Sequence, residues 1–355
     1  MAAENRVTLK HIAKELGVSA TTVSRVLSGQ ARQFRIGRET EAAVQRLAAE
    51  MNFRPNRVAR GLRLNRTESI GLVIPDVSNP FFAGIAKEVA LGARDCGYSV
   101  IICDSQESEE REMESLELLR ERGAEGVVVC PVGRSADHLS AFAGKHWPMV
   151  LADRYFPGLP LPYVVSDNHA GAREAVDYLI NNGHSRIACV QGSRGTSPNE
   201  DRLQGYREAL AAKQIEVDET LVVGDGFGEQ NGYIATKLVL KSAPDITAIF
   251  AMSNLISLGV LRAIAEEGLR VPEDISLVSF DDQPYSAYLA SPMTAVAQRC
   301  SEMGRIAVKL LFDRIQSPDR AISGGILLPT SLVIRGSVRN LLATQTEGSR
   351  HRVCG

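Results

Sequence analysis

Residues 7–27 read Val7-Thr-Leu-Lys-His-Ile-Ala-Lys-Glu-Leu-Gly-Val-Ser-Ala-Thr-Thr-Val-Ser-Arg-Val-Leu27. Leu9, Ile12, Ala13 and Leu16 fall at the i, i+3, i+4, i+7 spacing that lines one face of a helix. Gly17 follows where a tight turn calls for positive φ. Ser19 suits the N-cap of a second short helix carrying Val23, Val26 and Leu27. Helix, glycine turn, helix is the helix-turn-helix pattern. Alone it fits either a generic helical hairpin or a DNA-reading module.

Outward from this motif, a third helix is predicted from about Arg38 to Asn52, with Val44, Leu47, Ala48 and Met51 as its apolar stripe. The segment Phe53-Arg-Pro-Asn-Arg-Val-Ala-Arg-Gly-Leu-Arg-Leu-Asn-Arg-Thr67 comes next. Its arginines 54, 57, 60, 63 and 66 recur every third residue. It is too short and too basic to be a stable isolated helix. It reads as a segment that orders against phosphate, or as a flexible linker, and the two are compatible. Residues 1–66 hold 13 Lys/Arg against 5 Asp/Glu, a net +8, so the rest of the chain carries −10 of the overall −2. A basic head on an acidic body is the charge footprint of a nucleic-acid-binding module joined to something else.

The 355 residues suggest two or three domains, and 44% hydrophobic with 23% charged residues excludes disordered and fibrous classes. No run approaches ~20 apolar residues, so no transmembrane helix is expected. The first residues lack the apolar core of a secretory signal. The six cysteines form no C-x-x-C pair and the six histidines have no ligand spacing. Reduced thiols in a cytoplasmic protein, and neither metal nor cofactor, are expected. Gly224-Asp-Gly-Phe-Gly-Glu229 lacks the third glycine of a dinucleotide fingerprint. Walker A and G-x-S-x-G motifs are absent as well, and no enzyme is expected.

From Ser69 the pattern changes. Short β-rich runs alternate with amphipathic stretches of helical length: SIGLVIPD, SVIICDS, GVVVCP, PMVLAD, YVVSDN, RIACVQG, LVVGDG, AIFAMSN, SLVSFDD and TAVAQ. This predicts an α/β body of parallel sheet with helices on both faces. Ten runs are too many for one sheet and argue for two lobes. Ligands of open α/β sheets sit at the carboxyl ends of strands. That rule selects 76–82, Asp104, Asp153-Arg154, Asp167-Asn168, 192–202, 225–227, Ser253-Asn254 and Asp281-Asp282. Carboxylates, an arginine and aromatic rings suit a polyol.

The motifs V-T-L-x-x-I-A, G-V-S-x-x-T-V-S-R-V-L, R-P-N-x-x-A-R-G-L-R and I-G-L-V-I-P-D-x-S-N-P-F-F stand in this order. With them the chain resembles the lactose/galactose repressor (LacI/GalR) family of bacterial transcription regulators over about residues 6–338. The resemblance implies a three-helix DNA-binding head over 1–53 and a hinge helix over 54–67. It implies a periplasmic-binding-protein-like effector-binding and dimerisation domain of doubly wound parallel sheets over 68–338. Lobe 1 would take about 68–166 and 296–328, lobe 2 about 167–295 and 329–338, with three crossings. The tail 339–355 lacks heptads for a tetramerising helix and reads as flexible, so a homodimer is expected.

For DNA, the resemblance places the second helix in the major groove, with Ala20, Thr21 and Arg25 on base edges. Thr8, Ser19 and Asn56 would help hold phosphates. Thr22 and Ser24, with Arg57, Ala59, Arg60 and Arg63 of the hinge, complete the DNA-facing set. Leu62 would wedge a central base step of the minor groove. For the effector, Arg202 and Asp281 lead, followed by Asp153, Phe227, Phe81, Phe82, Asp76 and Ser253. Packing of Phe81 and Phe82, helix capping by Asp167 and Asp282, and a structural Arg202–Asp281 pair are the competing roles. Two departures stand out: His11 replaces a common acid in the first helix, and the segment 28–40 is about three residues longer than usual. The expected function is an allosteric repressor on a palindromic operator, controlled by a sugar between the lobes. A nucleobase or other non-sugar corepressor is the alternative, followed by a pure solute-binding protein.

Overall fold

The computed structural model describes residues 7–53, 66–143, 147–317 and 324–342. They divide between Thr67 and Glu68 into two compact units. The hinge positions Asn56, Arg57, Ala59, Arg60, Leu62 and Arg63 lie outside the described residues.

The first unit holds α1 (Leu9–Glu15), α2 (Ala20–Leu27) and α3 (Arg38–Glu50). Gly17 turns the chain at φ +63°, and Ser19 Oγ accepts from Thr22 N at 2.9 Å to cap α2. Ile12, Ala13, Val23, Val26, Ala31, Val44 and Ala48 bury into one small core. The Nδ1 of His11 accepts from Thr8 N at 3.3 Å. It thus does for the first turn what an acid does in a capping box.

The second unit contains two six-stranded sheets. The strands of the first are β1 (Ser69–Ile74), β2 (Ser99–Asp104), β3 (Val127–Val129), β4 (Met149–Ala152), β5 (Tyr163–Ser166) and β11 (Gly325–Leu328). Their order is β11-β5-β4-β3-β1-β2, all parallel. The second sheet uses β6 (Ile187–Val190), β7 (Val222–Val223), β8 (Ala248–Ala251), β9 (Ser276–Phe280), β10 (Thr294–Ala297) and β12 (Ser331–Val333). Its order is β12-β10-β9-β8-β6-β7, with only the β10–β12 pair antiparallel. The ten apolar runs are β1 to β10 in order. Every residue of β1, β3, β4, β6, β8 and β9 is buried, as parallel strands covered on both faces must be.

The covering helices of the first lobe are α4 (Pro80–Asp95), α5 (Glu109–Glu121), α6 (Asp137–Ala143) and α11 (Cys300–Gln316). The second has α7 (Asn168–Asn181), α8 (Ser197–Ala212), α9 (Glu229–Ser242) and α10 (Asn254–Glu266). The chain passes between lobes three times: after β5, after β10 and between β11 and β12. Because Ala297 still pairs with Ser331, the second crossing falls just past Ala297 rather than at 296. The tail begins later than expected. Arg339 N donates to Ser276 Oγ at 2.9 Å and Leu341 N to Asn182 O at 2.8 Å, tying 339–342 to the second lobe. Residues 343–355 lie outside the described residues.

Candidate functional site

The head presents a polar face on α2. Thr21 is exposed, while Ala20, Thr22, Ser24 and Arg25 are half-buried. Ser19 and Thr22 also share a hydroxyl–hydroxyl hydrogen bond of 2.8 Å, so both are held by the cap they build. Arg25 lies with its guanidinium carbon 3.7 Å from the ring centroid of Phe34, in segment 28–40. Thr8 is exposed at the start of α1.

In the body, the carboxyl ends of the strands of both sheets face one another. Asp153 follows β4 in the left-handed region (φ +67°), and Asp281 follows β9 likewise (φ +72°). Both are buried, as are Arg154 and Arg202. Burial pushes the Asp153 carboxyl up to about 6, against the pull of Arg154 and Arg202 and with help from Asp281 and Glu107. Arg202 reaches in from α8. Its Nε donates to Asn168 Oδ1 at 2.9 Å and its Nη1 to Met252 O, with the guanidinium 3.7 Å over the Phe280 ring. Burial lowers its pKa from the ordinary arginine value. Asp281 accepts from Asn254 N at 3.3 Å and from Gln298 Nε2. Arg202 and Asp281 therefore share the site without forming an ion pair of their own.

Phe227 brings an aromatic face, 5.1 Å from the Arg154 guanidinium. Its ring lies on Gly192, where a Cβ would stand 2.1 Å from a ring carbon. Ser253 has a structural use: it caps α10 by accepting from Ile256 N and donates to Phe227 O at 3.1 Å. Asp76 likewise closes its own turn onto the Ser78 amide and hydroxyl, at 2.8 and 2.6 Å. Phe81 and Phe82 pack edge to face, centroids 5.1 Å apart, within the first lobe's core. Asp167 caps α7. Asp282 does not cap a helix: it takes the Arg335 fork at 2.7 and 2.9 Å.

Two contributors escaped the sequence reading. Glu107 grips the Arg154 guanidinium with both oxygens, at 2.8 and 2.7 Å. Gln298 reaches Asp281 from the end of β10, and its Oε1 is buried without a hydrogen-bond partner among the described residues. The strand-end rule reaches Gln298, the last residue of the TAVAQ run; nothing local marks Glu107. The lobes touch directly: Asn254 Nδ2 donates to Asn79 Oδ1 at 3.0 Å and Tyr155 N to Ser197 Oγ at 3.1 Å. Among the described residues no cluster could hold a metal ion, and no helix is long and apolar enough to cross a membrane.

Residues 8–56 match the family described as bacterial regulatory proteins, lacI family, and residues 176–338 match the periplasmic binding protein-like domain. The HTH-type transcriptional regulator DegA of Bacillus subtilis is 33% identical over 340 residues, 95% of this chain and 99% of DegA. The chain belongs to the LacI family. The solved structure of the lac repressor dimer bound to operator and the anti-inducer ONPF superposes with TM-score 0.83 at 27% identity, over 94% of this chain and all of that one. The CelR–cellobiose complex superposes at 0.71 with 34% identity, over 94% of this chain and all of that one. The chain is a DNA-binding transcriptional repressor of the LacI family with an effector-binding domain, not an enzyme.

Proposed function

We propose that this LacI-family repressor binds a pseudo-palindromic operator as a two-fold dimer and is controlled by a small sugar between its lobes. The observation that carries the sugar is the buried set Asp153, Arg154, Arg202 and Asp281 beside the Phe227 ring. Carboxylates and guanidinium groups bind adjacent hydroxyls through paired hydrogen bonds, and an aromatic face covers the apolar side of a pyranose or furanose. The unpartnered Gln298 Oε1 adds an acceptor for a hydroxyl. A relative solved with cellobiose supports the same class. Phe81 and Phe82 serve the site through the first lobe's core, and Ser253 and Asp76 through the turns that they close.

The mechanism follows from where these groups sit. Effector changes how far the lobes close across contacts such as Asn254–Asn79. The first lobes then shift across the dimer interface, and the paired hinges order or melt on DNA. Coupling of about 1–3 kcal/mol is typical of such linkage. The work is done in the cytoplasm, on chromosomal DNA.

A thermal-shift screen of sugars, sugar acids, sugar phosphates and nucleobases tests this on the wild type, Arg202→Ala and Asp281→Ala. Ligand at 100 times its Kd stabilises by about 2.7 kcal/mol, a clear rise in Tm. The expected result is a sugar hit that both substitutions remove. A nucleobase hit with the same sensitivity would replace the sugar; a hit indifferent to both would move the site elsewhere. Operator binding with and without the hit then gives the sign, inducer or corepressor.

A further inference from the structure

The lengthened segment after α2 is a built turn. Gln30 N donates to Arg25 O at 2.9 Å, Phe34 N to Gln30 O at 3.2 Å and Ile36 N to Ala31 O at 2.9 Å. Ala31 is buried in the head's core and Ile36 packs against it. Arg35 takes the left-handed conformation, φ +54°. The turn nevertheless leaves Phe34 41% exposed, among the exposed polar residues Arg32, Gln33 and Arg35. Phe34 touches Arg25, whose guanidinium carbon sits 3.7 Å from the ring centroid. Among the described residues no carboxylate pairs with Arg25.

We propose that Phe34 is a positioning residue for base recognition by Arg25. The inference rests on the reading of Arg25 as the base-facing arginine of α2. A guanidinium stacked on a ring uses its flat face and keeps its in-plane N–H fork free for a hydrogen-bonding edge such as guanine O6/N7. A free arginine must give up much of its rotamer freedom to make that contact; one already held on a ring gives up less. The extra residues of segment 28–40 thereby act on specificity, through an arginine outside them.

The test starts by selecting duplexes from a random library with the wild-type protein. The position whose base preference disappears in Arg25→Ala is the one Arg25 reads. Phe34→Ala, Phe34→Leu and Phe34→Tyr are then compared on that site and its single-base variants. Phe34→Ala and Phe34→Leu should weaken binding about 3- to 5-fold and shrink the preference at that position by the same factor. Phe34→Tyr should restore both. The slope of binding against salt should not move, since no phosphate contact is lost. In the Arg25→Ala background, Phe34→Ala should change nothing. A Phe34→Ala protein with unchanged base preference overturns the proposal. So does an equal loss in both backgrounds, the mark of Phe34 touching DNA by itself. If Arg25→Ala shifts no position's preference, the base-facing reading of Arg25 falls instead. Phe34→Leu keeps the apolar bulk, so a loss shared with Phe34→Ala and recovered by Phe34→Tyr belongs to the ring.

Discussion

Asp153 combines burial, a left-handed backbone and two neighbouring guanidinium groups. Its pKa of about 6 lies above the ordinary aspartate value near 3.9. The folded protein therefore holds this proton at pH values where the unfolded chain has released it. The resulting stability is fully present below about pH 4 and is lost as pH rises through about 6. Asp153→Asn should match the wild type near pH 4 and exceed it above pH 6 by up to about 3 kcal/mol. Urea unfolding of both proteins from pH 4 to 7 checks this; parallel curves would assign Asp153 an ordinary pKa. The same substitution should weaken binding of the proposed sugar at neutral pH, because an amide offers one acceptor where the carboxylate offers two.

At the scale of elements, two joints are sensitive to single atoms. Ser19 holds one of the first free amides of α2, Thr22 N. Ser19→Ala should cost the head about 1 kcal/mol, seen in the full chain as faster hydrogen exchange of α2 amides with the body unchanged. The second joint is α9 against α10. A Cβ on Gly259 would lie 2.0 Å from Glu229 O and 2.5 Å from Tyr233 N, both backbone atoms of α9. Gly259→Ala must push the helices apart, at about 1–3 kcal/mol, and should lower Tm by several degrees. A Tm within a degree of the wild type would mean that the helices part freely. Since α10 begins at Asn254, which bonds to both Asp281 and Asn79, the shift should also loosen the proposed effector site.

For the whole molecule, the separation of charge decides how it meets DNA. The +8 of residues 1–66 attracts phosphate while the −10 remainder repels it. In the proposed dimer, two heads on one duplex should make operator affinity fall about a thousandfold or more between 50 and 200 mM salt. A flat response, or a monomer by analytical ultracentrifugation at the binding concentration, would contradict a dimeric repressor. Lobe closure is the other whole-molecule property. Small-angle scattering with and without the effector found by thermal shift should register a change in the radius of gyration.

The local parts of this protein were legible in its residues. Apolar spacing gave α1 and α2, Gly17 gave the turn, Ser19 the cap, and alternation of runs gave β1 to β10. Such features depend on neighbours within a few residues, where helix period, capping and turn chemistry act. β11 and β12 did not stand out. They are 4 and 3 residues long, exposed or half-buried except at Leu328, and owe their existence to sheet edges supplied by β5 and β10. The strand-end rule selects Asp153, Arg202 and Asp281 because it concerns topology, which the alternation of runs reveals, and the fold buries all three. It did not say that Ser253 and Asp76 spend their hydrogen bonds on turns, that Phe81 and Phe82 belong to a core, or that Glu107 holds Arg154. Those assignments depend on which distant backbone passes nearby, as does the contact between Arg25 and Phe34. Sequence by itself determined the periodic and capped elements and their order; only the tertiary structure decided which buried polar group satisfies which, because such pairing is set by proximity in space.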